Sequence, residues 1–275
     1  MKLYHALITT FFSVVTGILL HRFDLPLFQI DSVAFMTQHY LRHHYHHKHG
    51  SSKYLKLRGL NYTPRKGSSS LNDIEKECKN ESEIQSDFHI LSQITDYFHL
   101  YALAECSQAR IILPIAKKMN VKIFLNIWVD GSPINSTTSS FAEEMRELDY
   151  LLVNQMIDTA VVKAISVGSE SYHRHETTIQ ENIAYLAIVK DNLHVHNFTD
   201  IPLTVTDIDK TFMAFPDLME AVDFASINAF PFFDTAYGKR SADGAVNYLK
   251  YEILQPLLDE SNRMKKSLFL TETGW

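Results

Sequence analysis

The stretch that decides the fold reads VVKAISVGSE over residues 161–170. Its apolar, β-branched first part is typical of a buried parallel strand, and the strand is followed directly by Ser169 and Glu170. A second stretch of the same form, LFLTET at residues 268–273, carries Glu272. Both stretches therefore predict a buried strand with a carboxylate at its carboxyl end.

Strand-like runs of this kind recur along the chain, at Leu57–Tyr62, Phe98–Leu103, Val121–Trp128, Val161–Gly168, Leu203–Ile208, Phe224–Phe230 and Ser267–Glu272. Helical patterns separate several of them, one introduced by the capping box Thr178-x-x-Glu181 and another interrupted by Pro256, which predicts a kink. Alternating strands and helices predict an α/β fold with a parallel sheet. Seven runs are one short of a closed (β/α)8 TIM barrel, so we expect such a barrel truncated after strand seven.

The N-terminal region is predicted to lie outside the barrel. Residues 1–22 contain an apolar stretch, residues 3–20, that suits either a cleaved signal peptide or a signal anchor tethering the chain to a membrane. Residues 23–53 form a His-rich stalk, which is a solvated spacer or a loose metal-binding tract. The barrel domain is expected over residues 54–275, and the net charge of −6 argues against a nucleic-acid partner.

The cysteine count and the sequons point to the secretory pathway. Cys78 and Cys106 are the two cysteines of the chain; they form either one disulfide or two free buried thiols. Three N-glycosylation sequons begin at Asn80, Asn135 and Asn197, which is consistent with a lumenal or extracellular protein.

Polar and aromatic side chains that end the strands are the candidate functional residues, because a barrel of this class places its active site there. Glu170 and Glu272 can flank a glycosidic bond as a pair of carboxylates, although strand-end glutamates also form structural salt bridges. Flat side chains at the same rim would stack on sugar rings, and these are Tyr62, Trp128, Phe230, Phe232 and Trp275.

At these motifs the sequence resembles glycoside hydrolase family 17, the β-1,3-glucanases and glucan transferases of cell walls. The resemblance rests on GLNYTPR at 59–65, YALAECSQARIILPIAKKMNVKIFLNIWV at 101–129, VKAISVGSESYHR at 162–174, ASINAFPFF at 225–233 and LTETGW at 270–275. It implies a retaining mechanism on cell-wall β-1,3-glucan, with Glu170 as acid/base and Glu272 as nucleophile. It implies no metal and no other cofactor, and it favours pairing of Cys106 with Cys78.

The resemblance also assigns substrate-binding positions, which are Tyr62, Tyr101, Trp128, Ser169, Asn228, Phe230 and Trp275. Two of the matched positions depart from the family pattern. Ser169 stands where the family has an asparagine that contacts the sugar 2-hydroxyl, and we expect Ser169 to face solvent before substrate binds. His99 replaces a basic residue of the family.

Two functions remain open at this stage. The first is a secreted or membrane-anchored, monomeric endo-1,3-β-glucanase or glucanosyltransferase, and hydrolysis and transfer share one intermediate. The alternative is a catalytically impaired β-glucan-binding wall protein derived from that family. The retained Glu170 and Glu272 favour the enzyme, whereas Ser169 and the absence of an eighth strand favour the binding protein.

Overall fold

Parallel strands in sequence order form the centre of the protein. The structure, a computed structural model, describes residues 57–66, 78–233 and 241–274. Its seven-stranded sheet has the order β1 to β7, and every neighbouring pair is parallel. This is the strand arrangement of a (β/α)8 barrel through its seventh strand, as the sequence predicts. The predicted signal segment and stalk, and the apolar stretch within them, lie outside the described residues.

The strands are β1 Leu60–Tyr62, β2 Tyr97–Leu100, β3 Lys122–Ile127, β4 Val162–Ser169, β5 Leu203–Ile208, β6 Phe224–Ala229 and β7 Ser267–Thr273. The helices are α1 Glu81–Leu91, α2 Gln108–Met119, α3 Ser140–Val153, α4 Ile179–Val195, α5 Asp209–Ala214, α6 Pro216–Ala221, α7 Ala242–Asn247 and α8 Gln255–Arg263. Short 3-10 turns cover Glu105–Ser107 and Pro231–Phe233. In the described part of the chain, no helix is long and apolar enough to cross a membrane.

The barrel interior is built in layers that change from apolar to polar toward the carboxyl ends of the strands. Near the amino ends, the rings of Phe124, Phe224 and Phe269 pack with centroids 5.7–6.0 Å apart. Above them a belt of hydroxyl groups runs from β4 to β7, with contacts of 2.8–3.2 Å, and consists of Ser166, Thr206, Ser226 and Thr271. The aromatic layer closes the lower barrel, while the hydroxyl belt forms a polar floor beneath the rim.

Both strands that carry the candidate carboxylates contain an irregularity just before the glutamate. Between β4 and β5 the register changes from Ser166↔Thr204 to Ser169↔Thr206, which leaves one extra residue on β4. Gly168 lies in this bulge with φ +86°, and an added Cβ would meet Ser171 Oγ at 3.1 Å. On β7 the partners of Ile227 and Asn228 are Leu270 and Glu272, so Thr271 is the extra residue. Such bulges re-aim the side chains that follow them.

The second strand is shorter than the sequence predicts, for a local reason. The second strand ends at Leu100 rather than Leu103, because the chain turns there into the 3-10 segment that carries Cys106 at φ 55°.

The capping box of Thr178 and Glu181 begins α4 as predicted. Pro256 lies in the first turn of α8, directly after a π-helical segment, Tyr248–Leu254, that joins α7 to α8.

A disulfide bonds the loop that precedes α1 to the loop that follows β2. Cys78 and Cys106 are joined with their Cα atoms 5.5 Å apart and 28 residues apart in sequence. Beside this bond, the side chain of Arg65 forms an ion pair with Glu105. The backbone of Arg65 forms an isolated antiparallel β-bridge with that of Cys78. The disulfide therefore fixes the loop that leads away from Tyr101.

Reducing this disulfide should lower the free energy of unfolding. The bond closes a loop of about 30 residues, and loop-closure entropy gives a stabilisation of about 3–4 kcal/mol. Urea unfolding with and without reductant measures it. The double variant Cys78→Ser/Cys106→Ser is the matched control, since reductant should leave its transition unchanged. An equal transition of the wild-type protein in both conditions would contradict the stabilising role.

Candidate active site

Glu170 and Glu272 lie at the same end of the sheet, where β4 and β7 finish. Glu170 directly follows β4, and Glu272 is the next-to-last residue of β7. The charge of Glu170 acts on Glu272 and raises its pKa, which requires that the two carboxyl groups be close. The predicted separation of about 5–5.5 Å for a retaining pair stays a prediction.

Asn228 connects the two carboxylates. It lies near the end of β6, and its Nδ2 donates a hydrogen bond to Glu170 Oε1 at 2.8 Å. The same amide reaches Glu272 as a hydrogen-bond donor. Its own Oδ1 accepts a hydrogen bond from Thr271 Oγ1 at 2.9 Å, which fixes the orientation of the amide. One neutral side chain thus holds both acidic groups and is anchored in the hydroxyl belt.

The surroundings of Glu272 favour its neutral form. Burial is the largest cause, and together with the negative charge of Glu170 it raises the pKa of Glu272 to about 7. Hydrogen bonds from Asn228 and Tyr101 oppose this shift, because they stabilise the carboxylate. The hydroxyl of Tyr101 also receives a hydrogen bond from Asn61. The pair thus holds a proton at a pH where an exposed glutamate would have lost it.

Two buried acidic residues hold the loops that carry the site. Asp207, at the end of β5, accepts hydrogen bonds from the backbone N–H groups of Tyr172 and His173 at 3.2 and 3.4 Å. These hydrogen bonds fix the loop that follows Glu170. The backbone of Glu170 itself lies in the left-handed region with φ 55°. Glu144 of α3 accepts the N–H of Leu103 at 2.6 Å and holds the loop that follows Tyr101. Burial raises the pKa of Glu144 to about 8.

Trp128 lies at the same rim, and the guanidinium group of Arg174 stacks over its ring. The guanidinium carbon of Arg174 lies 4.5 Å from the ring centroid. Arg174 also donates to the carbonyl oxygens of Ser169 and Val129 and to Glu176 Oε2, the last at 2.6 Å. Arg174 therefore ties the end of β3 to the end of β4 beside the half-buried ring of Trp128.

The structure brings together some predicted site residues and separates others. Tyr101, Asn228, Glu170 and Glu272 form one hydrogen-bonded group. Tyr62 is placed elsewhere: it is 4% exposed, packs on Phe88 of α1 and donates to Asp87 at 2.8 Å. Because β1 directs Asn61 inward, its neighbour Tyr62 points to the helices, so the substrate-binding prediction for Tyr62 is wrong.

The remaining predicted residues differ in exposure. Ser169 is 5% exposed, so it is buried and not open to solvent as expected from the sequence. Phe230 follows β6 at the site end of the sheet and packs on Phe233 at 6.0 Å, while Phe232 is 52% exposed. Trp275 lies outside the described residues.

Asn61 and His99 are site residues whose roles sequence reasoning missed. Asn61 Nδ2 donates to the carbonyl oxygen of Thr271 at 3.3 Å, and its Oδ1 contacts His99 Nδ1 at 3.1 Å. The stretch that contains Asn61, GLNYTPR at 59–65, carries part of the family resemblance. Nothing in the sequence indicated that its amide reaches β7.

A cavity of about 700 Å³ opens at the amino ends of the strands and is lined by residues such as Tyr97, Lys163 and Asp223. It lies opposite the end where barrels of this class carry out chemistry. Within residues 57–66, 78–233 and 241–274, no group of three or more His, Cys, Asp or Glu side chains is arranged to hold a metal ion.

Comparison with known proteins identifies the family. The family model described as the BtgE/BtgC glycoside hydrolase domain matches residues 59–275. The chain belongs to this family. The matched range begins before β1 and runs through β7, so it contains every described strand and both candidate carboxylates.

Solved structures agree with this family and its fold. A glycoside hydrolase family 17 β-1,3-glucanosyltransferase from Rhizomucor miehei is 26% identical, with a TM-score of 0.62 over 82% of this chain and 73% of that one. An active-site mutant of the Rhizomucor miehei β-1,3-glucanosyltransferase in complex with laminaritriose matches with 25% identity and the same TM-score. The family 17 resemblance and the barrel fold are thereby confirmed.

Curated relatives come from fungi. The cell surface mannoprotein MP65 of Candida albicans is 29% identical over 72% of this chain and 48% of its own length. A glucan 1,3-beta-glucosidase of Arthroderma benhamiae is 32% identical over 37% of this chain and 30% of its own length. The chain thus spans half or less of the length of these two relatives.

Replacing Glu272 should change stability in a pH-dependent way. The pKa of Glu272 is raised from 4.5 to about 7 in the folded protein, so the folded state keeps a proton that the unfolded chain releases between these values. The stability that this proton provides is complete below pH of about 4.5 and is lost as the pH rises through 7. Glu272→Gln removes the titration, so its stability relative to wild type should rise by up to about 1.4 kcal/mol per pH unit between pH 5 and 7.

Urea unfolding of both proteins between pH 4 and 8 measures this difference. Glu252→Gln, at an exposed position of the π-helical segment, is the matched control, and we expect no comparable slope. A stability difference between Glu272→Gln and wild type that stays constant across this range would show that Glu272 titrates normally.

Proposed function

We propose that the chain is a retaining glycoside hydrolase or glucanosyltransferase acting on cell-wall β-1,3-glucan, with Glu170 as acid/base and Glu272 as nucleophile. The observation that carries the proposal is the Asn228 bridge between two mutually repelling carboxylates at the active-site end of the barrel. Salt-bridged structural glutamates would be held by cations. The groups that act on Glu272 are instead a second carboxylate and two neutral donors.

The first chemical step needs Glu170 protonated and Glu272 ionised. An oxygen of Glu272 attacks the anomeric carbon while the glycosidic C–O bond breaks, and Glu170 gives its proton to the departing oxygen. This leaves a glucosyl ester on Glu272 and a carboxylate on Glu170. The hydrogen bond from Tyr101 supports the ionised nucleophile before the attack.

The second step regenerates the enzyme with net retention. Glu170 removes a proton from a water molecule or from a sugar hydroxyl, and the resulting oxygen attacks the anomeric carbon and displaces Glu272. Water gives hydrolysis, and a sugar hydroxyl gives transfer. The exposed ring of Phe232 and the half-buried ring of Trp128, which follow β6 and β3, are suited to stacking on sugar rings of the glucan chain.

The substrate class is supported by the relatives, several of which are named as glucan 1,3-beta-glucosidases or β-1,3-glucanosyltransferases. We further propose that the protein is extracellular or wall-associated and N-glycosylated. The Cys78–Cys106 disulfide suits an oxidising compartment. The sequon residues Asn80, Asn135 and Asn197 are exposed, and one relative is named a cell surface mannoprotein.

Variants of the two carboxylates test the assignment of roles. Incubation of the wild-type protein with β-1,3-glucan oligosaccharides should release or transfer products whose new anomeric centre is initially β, as followed by NMR. Glu170→Ala and Glu272→Ala should each lower kcat/KM by at least about a hundredfold. With azide present, Glu170→Ala should form the β-glucosyl azide and Glu272→Ala the α-glucosyl azide, because azide replaces a water-activating base in one case and the nucleophile in the other.

Glu143→Ala is the matched control, since this glutamate of α3 is exposed and distant from Glu170 in sequence. It should keep wild-type activity. Binding of the same oligosaccharides without turnover by the wild-type protein would overturn the enzymatic proposal and favour a glucan-binding wall protein. Azide products of the opposite configurations would exchange the roles of the two glutamates.

A further inference from the structure

Asn61 joins β1 to β7, two strands that do not pair in the described sheet, and it also contacts residues on and after β2. β1 and β7 are the two edges of the described sheet, and the Asn61 amide spans from β1 to the carbonyl oxygen of Thr271 on β7 at 3.3 Å. The same side chain donates to the hydroxyl of Tyr101 and contacts the ring of His99. Thr271 is the residue before Glu272, and Tyr101 donates a hydrogen bond to Glu272. The contacts of Asn61 with Thr271 and with Tyr101 therefore both lead to the proposed nucleophile.

The contact with His99 fixes which way the Asn61 amide points. An amide oxygen only accepts hydrogen bonds, so the proton at this 3.1 Å contact belongs to His99 Nδ1. Burial lowers the pKa of His99 to about 4, and the ring is therefore neutral, with Nε2 unprotonated. Nε2 has no hydrogen-bond partner among the described residues. His99 thus acts as a single donor that holds Asn61 Oδ1 and directs Nδ2 toward Tyr101 and Thr271.

Packing holds the His99 ring in place for this task. Its centroid lies 4.8 Å from that of Phe124 and 5.5 Å from that of Tyr101, and the residue is 5% exposed. A rotated ring would lose these contacts and leave the Asn61 oxygen without a donor. The chain of donors therefore runs from His99 to Asn61, from Asn61 to Tyr101, and from Tyr101 to Glu272.

We propose that His99 and Asn61 are positioning residues that hold the Tyr101 hydroxyl as a donor to Glu272, and thereby set the pH at which the nucleophile becomes active. The expected change in the pH dependence of activity rests on the proposed function. The expected change in the pKa of Glu272 does not. The ionisable groups that act on Glu272 are Glu170 after β4 and Tyr101 after β2. His99 on β2 acts on Glu272 through Asn61 and Tyr101.

The direction of the effect follows from the sign of the hydrogen bond. Tyr101 stabilises the carboxylate form, so a disordered Tyr101 hydroxyl raises the pKa of Glu272 above its value of about 7. The acidic limb of kcat/KM should then move to higher pH. A purely structural loss would lower activity equally at every pH.

The test uses a pair of nearly isosteric replacements at one position. His99→Asn keeps an N–H donor close to the place of Nδ1, whereas His99→Leu removes it. The acidic limb should stay at its wild-type position in His99→Asn and move upward by about half a pH unit or more in His99→Leu. Tyr101→Phe, which deletes the last donor, should move it upward by about one unit. Asn61→Ala should shift it in the same direction.

Thr204→Val is the control for a buried polar loss elsewhere in the barrel, because the Thr204 hydroxyl donates to Phe224 O at 2.6 Å near the amino ends of the strands. Its acidic limb should not move. Equal limbs in His99→Asn and His99→Leu, with Tyr101→Phe shifted, would overturn the role of His99 and Asn61. An unshifted limb in Tyr101→Phe would overturn the whole chain of donors.

A second readout is independent of activity. In protein labelled with ¹³C at glutamate carboxyl groups, Glu272 is assigned by the signal that Glu272→Gln removes, and its titration midpoint is read by NMR. His99→Leu should raise this midpoint and His99→Asn should not. If the protein cleaves no glucan, this titration still decides the inference, so failure of the proposed function and failure of the positioning role are distinguishable. Unchanged midpoints in His99→Leu, Asn61→Ala and Tyr101→Phe would refute it.

Discussion

The close approach of two carboxylates in a partly dehydrated rim is the constraint on which the rest of the site depends. Glu170 and Glu272 repel each other, and burial adds to the cost of ionising Glu272. Neutral hydrogen-bond donors surround the two groups: Asn228 contacts both of them, and Tyr101 contacts Glu272. A cation beside them would favour ionisation of both groups. Neutral donors, by contrast, leave the pKa of Glu272 raised.

The fold supplies the geometry through irregularities rather than through ideal strands. An extra residue on β4 and another on β7 come just before the two glutamates, and Glu170 itself has a left-handed backbone with φ 55°. Such a conformation is costly for a residue with a side chain. Asp207 offsets that cost by accepting the N–H groups of the following loop. Beneath the rim, the hydroxyl belt anchors Asn228 through Thr271.

Sequence patterns predicted the architecture and the two carboxylates because both depend on local order. Buried strands are recognisable as apolar runs, and a barrel brings their carboxyl ends together, so Glu170 and Glu272 could be paired without coordinates. Tyr62 was misplaced because alternation along a three-residue strand decides which neighbour faces inward, and the motif does not show the phase. The amide bridge of Asn61 to β7 spans 210 residues, and no local pattern encodes such a contact.

The position before Glu170 shows how the structure changes an interpretation drawn from sequence. Ser169 was expected to leave a sugar contact open to solvent, but it is 5% exposed, and its carbonyl oxygen is held by Arg174. The amide that contacts Glu170 belongs to Asn228 on β6.

The most direct measurement is to trap the covalent intermediate. In a 2-deoxy-2-fluoro β-1,3-glucan oligosaccharide, the fluorine slows both formation and breakdown of the glucosyl ester. A good leaving group restores the rate of formation but not that of breakdown, so the glucosyl ester accumulates. Proteolysis and mass spectrometry of the inactivated protein should find the fluorinated sugar on the peptide that contains Glu272. Labelling of any other residue, or turnover of the substrate with inversion and no labelled peptide, would contradict a retaining mechanism with Glu272 as the nucleophile.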